Sequence, residues 1–194
     1  MRPIREGLSM STSLPSKYSY VGASDAPSLI RAAVPLYGTQ EFAGKADNKV
    51  ILAWAKEVED AIGVKHLGYT ADSIPWCGLF AAVVAVRAGW ADHVPKTPLW
   101  ARSWNEFGQK ADKPSFGDIL VFTRDGGGHV GFYVGEDASY YHVLGGNQSD
   151  AVTITRIAKS RLLGARRPKW RIAQPASVRI VRVGATGPVS KNEA

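Results

Sequence analysis

The sequence predicts an α+β domain with its helices first and its strands second. Apolar residues recur at helical spacing between positions 26 and 88, whereas short β-branched and aromatic runs separated by turn residues fill positions 117–167. Composition agrees, because 194 residues with 45% apolar content suit one unit of ordinary size with tails. Residues 1–24, rich in Ser, Pro and Gly, read as a flexible arm, residues 25–168 as the folded domain, and residues 169–194 as a basic, loosely packed tail.

The elements follow in order. After Ser24 and Asp25, which can cap, "APSLIRAAVPLYG" predicts a short helix stopped near Gly38. Ile51, Leu52, Trp54, Ala55, Val58 and Ile62 predict a second helix, ended by Gly63. In "TADSIPWCGLFAAVVAVRAGW", Asp72 or Ser73 is a candidate N-cap, Pro75 fits only a first turn, and Gly89 can terminate, so a helix is predicted over 74–88. It is apolar all round and should be central and buried. "GDILVFTRD", "HVGFYVGED", "YYHVLGG" and "AVTITRIA" predict an antiparallel meander, and "RLLGARR" a further short strand.

Charge and composition exclude several classes of function. A single cysteine cannot form an internal disulfide, and His66, His93, His129 and His142 form no close ligand pair, so no metal and no cofactor is expected. The N-terminal segment lacks the apolar stretch of a Sec signal, which makes a cytoplasmic start the expectation. The longest apolar run, 79–86, is too short to span a bilayer. Of the net charge of +7, residues 151–194 hold ten Lys/Arg against one acid, leaving 14 basic and 16 acidic residues before them. A basic end attracts any polyanion or simply stays solvated, so it names no specific nucleic-acid partner. "RDGGGH" lacks the Lys-Ser/Thr of a phosphate loop.

Cys77 is the residue with a choice to make. In the first turn of the buried helix, free N–H groups and the positive dipole end favour a thiolate, yet free cysteine is also a common core filler, and position alone favours the filler. His129 opens a strand whose other face carries Val130, Phe132 and Val134, and its imidazole can act as the general base for a thiol. Asn147, flanked by Gln148 and Asp150, offers an amide oxygen to orient the ring, although Asn after two glycines is also ordinary turn chemistry. His142 is a rival for that role, in phase with Tyr140 and Leu144. Trp76, Trp100 and Trp104 could stack on sugar or peptide, or pack the core.

In order along the chain, "DSIPWCGLFAAVVAVRAGW", "ARSW", "KPSFGDILVFTRDGGGHVGFYVGED" and "HVLGGNQSDAVTITRIAKSRLLGARRP" resemble the phage-associated branch of the NlpC/P60 and CHAP superfamily of papain-like cysteine peptidases and amidases, over about residues 32–168. The resemblance implies a papain-like fold, with the nucleophile at the start of a buried helix packed on an antiparallel sheet. It implies a monomeric peptidoglycan hydrolase, a phage endolysin or virion-associated lysin that needs a holin, a virion or another route to the wall. Catalytic Cys77, His129 and Asn147 follow from it, with the Cys77 N–H as an oxyanion donor. Asp72, Trp76, Trp100 and Gln148 become supporting or substrate-binding residues, and the basic tail a contact for anionic envelope polymers. Gly78 stands where the family often has a small polar residue, and Gly145 where some members have an acid. The other expectation is a catalytically inactive wall-binding or phage structural module of the same fold.

Overall fold

Asn48 accepts the N–H of Val50 at 2.8 Å and starts a helix whose apolar stripe, Ile51, Trp54, Ala55 and Val58, is buried. This is α2, Lys49–Ile62, and Gly63 ends it in the left-handed conformation. The computed structural model describes residues 13–42, 44, 46–170 and 173–193. Before α2 lies α1, Ser28–Ala33; after it comes α3, Cys77–Arg87. Nine residues of α3, from Cys77 through Ala85, are buried, as its unbroken apolar sequence requires.

The second half forms β1 (Gln109–Lys110), β2 (Ile119–Arg124), β3 (Gly127–Glu136), β4 (Tyr140–Gly145), β5 (Thr153–Ala158) and β6 (Leu162–Arg167). They build one antiparallel sheet in the order β1-β6-β2-β3-β4-β5. The fold is α+β, with helices preceding strands as expected. Alternation splits the sheet into two faces. Val121, Val130, Phe132 and Val134 join α1, α2 and α3 in one core, while Leu120, Phe122, Tyr133, Val143 and Ile157 form a second cluster. Asp118, at the entry to β2, accepts two bonds from the Arg167 guanidinium and one from the Ser115 N–H, each at 2.7 Å. That clamp fixes the start of β2 against the end of β6.

Three expectations need correction. α3 starts at Cys77 and not at 74, because Pro75 and Trp76 stay outside the helix; Trp76 is its N-cap residue and no side chain caps it. The arm is not loose throughout: Ser16–Gly22 is a 3-10 segment that buries Tyr18 and Val21, and the Tyr18 hydroxyl meets His142 Nδ1 at 2.7 Å. Residues 1–12 of that arm lie outside the described residues. The tail is also tied down. Val181 and Val183 exchange backbone bonds with Glu136, residues 188 and 190 bond both sides of Arg156 on the edge strand β5, and Val178, Val181 and Glu193 are buried. A short sequence with Pro and Gly breaks can still be ordered when it covers a sheet edge that would otherwise be unpaired. No helix of the described residues is long and apolar enough to cross a membrane.

Candidate active site

Cys77 sits at the first position of α3, on the floor of a cleft of about 320 Å³. The cleft is walled by Ile74, Pro75, Leu99, Trp100, Arg124 and the glycines 126–128. The backbone N–H groups of Val130 on β3 and of Gly78 face its sulfur and favour the thiolate. Burial pushes the thiol pKa up, and these two N–H groups and the nearby Arg124 charge do not reverse it. Gly78 has its own reason: a Cβ there would fall 2.3 Å from the Pro98 carbonyl, so the cleft wall at 98–99 can lie this close only over a glycine.

His129 is one position before Val130 on β3 and fully buried. Its side chain leaves on the face of Tyr133 and Val143, opposite Val130, so thiol and imidazole meet the same stretch of β3 from different sides. No hydrogen bond joins them; Nδ1 of His129 is buried and has no partner among the described residues. Nε2 contacts Gln148 Oε1 at 3.2 Å.

Gln148, and not Asn147, is therefore the residue that orients the ring. Its Nε2 donates to the carbonyls of Thr153, at 2.6 Å, and Val143, at 3.3 Å. Carbonyls only accept, so the amide has one permitted orientation and Oε1 must face the histidine. Oε1 also accepts from the Thr155 hydroxyl at 3.1 Å. An acceptor opposite Nε2 places the ring proton on Nε2 and leaves Nδ1 with a bare lone pair. Burial holds the His129 pKa down at about 4, against the opposing pull of the Glu193 carboxylate and the Gln148 bond. At neutral pH the thiol is protonated and the imidazole is neutral, with its Nδ1 unpartnered among the described residues.

The loop that delivers Gln148 is strained. Asn147, Ser149 and Asp150 have φ of 54°, 53° and 59°, in the left-handed region. Asn147 occupies one of these turn positions, and no hydrogen bond links it to His129. The preceding glycines are dictated by contact: a Cβ on Gly145 would come within 2.9 Å of Gln148 Oε1 and 3.1 Å of His129 Nε2, and one on Gly146 within 2.5 Å of Phe80. The amide of Gln148 takes the space an acid at 145 would need.

The other expected residues divide. Trp100 is 72% exposed and lines the cleft. Trp76 is fully buried, tilted against Trp54 with its indole N–H on Glu41, and belongs to the core. Trp104 is likewise buried, with its N–H on the Pro98 carbonyl. Asp72 neither caps α3 nor reaches the cleft; it accepts the N–H groups of Phe42 and Asn48, tying the start of α2 to the segment before α3. Burial works against its charge, but those N–H groups outweigh it and lower its pKa. His142 is bound by Tyr18 and Asp137, and Asp137 also holds Arg156, so this histidine belongs to a buried structural cluster.

Two residues near the site carried no sequence signal. Glu193 forms a two-pronged pair with Arg161, at 2.8 and 2.7 Å, and its buried carboxylate acts electrostatically on both His129 and Cys77. Arg124 ends β2 at the cleft. A glutamate next to the last residue and an arginine at a hairpin look like ordinary solvated charges until the chain folds. No family model, curated protein or solved structure matches the chain.

Proposed function

We propose that this protein is a papain-like cysteine hydrolase of the NlpC/P60 and CHAP type that cleaves an amide bond in the peptide part of bacterial peptidoglycan. The observation that carries the reading is His129: Nε2 is fixed by Gln148 and the buried Nδ1 has no partner among the described residues, on the strand against which α3 packs. In this mechanism Cys77 attacks the amide carbonyl and Nδ1 takes its proton, a transfer that requires the two side chains, which lie on different sides of β3 with no hydrogen bond between them, to come together. His129 then protonates the leaving amine, and water attacks the thioester to release the acid and the thiol. The uncapped start of α3 supplies N–H groups for the oxyanion, and Trp100 offers a face for the substrate. The motif order supports an endolysin or virion-associated lysin, with the basic tail facing anionic envelope polymers.

The reading is tested by incubating purified protein with isolated sacculi and identifying soluble fragments by mass spectrometry, which also names the bond. New amino groups, absent with Cys77→Ala or His129→Ala, are expected. One observation favours a second reading, an inactive wall-binding or phage structural module: thiol and ring are not hydrogen-bonded, and the thiol is held protonated. Sedimentation with sacculi without release of amines would select that module.

A further inference from the structure

Arg124 presents a charge that no ion pair among the described residues neutralises. Its Nε and Nη1 are buried and lack a hydrogen-bond partner, and no salt bridge reaches it among the described residues. A guanidinium stays charged at any physiological pH, and leaving its donors unmade in a desolvated place is costly. Folds keep such a group where something else completes it. Here it lines the cleft over Cys77, and its charge is felt by both Cys77 and His129. The other lining residues, Ile74, Pro75, Leu99, Trp100, Ala101 and the glycines 126–128, bring no ionised side chain.

The hairpin that carries Arg124 is anchored. Arg102 donates from Nε, at 3.0 Å, and Nη2, at 2.7 Å, to the Gly127 carbonyl, holding the glycine turn against the segment that also carries Trp100. An extended chain entering this cleft would have an indole face on one wall and one cation on the other. The planar fork of arginine fits a carboxylate better than any other common anion of a peptide.

We infer that Arg124 is a specificity residue that binds a free carboxylate of the substrate next to the scissile amide, so that the cleft selects anionic peptides. The inference rests on the hydrolase reading for its substrate, but binding can be measured without turnover. The probes are a synthetic peptidoglycan stem peptide with free carboxylates and the same peptide with every carboxylate converted to a carboxamide. Calorimetric titration into the Cys77→Ala protein is expected to show at least tenfold tighter binding of the carboxylate form. Arg124→Gln in that background should remove the difference while leaving carboxamide binding unchanged. Kinetics with the Cys77 protein should show the same preference in kcat/KM, again lost in Arg124→Gln. Cleavage without discrimination overturns the carboxylate site and leaves the hydrolase standing. Arg124-dependent binding without cleavage does the reverse. Equal weakening of both peptides by Arg124→Gln, with a lowered melting temperature, assigns the arginine to the fold and also overturns the site.

Discussion

At the scale of single residues, the site depends on which amide holds the imidazole. Gln148→Ala should lower turnover by between about 10²- and 10⁴-fold, the range for losing an oriented base with a defined tautomer. Asn147→Gly relaxes a left-handed position and should leave activity near that of the parent, so steady-state kinetics on the two variants separates the roles. Gln148→Glu sets a carboxylate against the Thr153 and Val143 carbonyls and should destabilise by on the order of 2 kcal/mol, read by denaturant unfolding. His129 gives a pH signature. Its folded pKa of about 4 lies below the ordinary value of 6.5, so below pH 6.5 the unfolded chain binds a proton that the folded one refuses. Stability from this residue is complete above about pH 6.5 and falls by about 3 kcal/mol as pH drops through 4, at 1.36 kcal/mol per pKa unit. Titration of the ring by NMR should place its midpoint near 4; a midpoint near 6.5 would remove the argument from burial.

At the scale of elements, the sequence marks out the strands and helices that carry the site, because period 2 and period 3.6 depend only on which face each residue buries. "GDILVFTRD", "HVGFYVGED", "YYHVLGG", "AVTITRIA" and "RLLGARR" all became strands, and Gly63 ends α2 as read. α3 starts three residues later than the sequence predicts, because Asp72, a cap candidate by position, has other partners. Its carboxylate is spent on Phe42 and Asn48, partners 30 and 24 positions away that no local pattern reveals. The choice between Asn147 and Gln148 fails for a related reason: left-handed residues on both sides of Gln148, at 147, 149 and 150, decide which amide points inward, and spacing does not encode φ. The C-terminal segment holds the longest-range consequence. Glu193→Ala leaves the Arg161 guanidinium without its buried partner and should cost on the order of 3 kcal/mol, or roughly 10 °C in Tm for a chain of this size. An unchanged melting curve would mean that this end of the chain does not contribute to the fold.

At the scale of the whole molecule, helices on one face of the sheet bring Cys77 to β3, and the opposite face brings His129 and Gln148 to the same strand. The segments around Tyr18 and Glu193 close around this arrangement, with Tyr18 joined to His142 and Glu193 joined to Arg161, so they form one folded unit with the site. A chain organised this way around one thiol and one imidazole with a free nitrogen is read here as a hydrolase. The most direct test is the rate of amino-group release from isolated sacculi by the parent protein and by Cys77→Ala, each shown to be folded by circular dichroism. The account predicts release by the parent and none above background by the variant. Full activity in Cys77→Ala would contradict it.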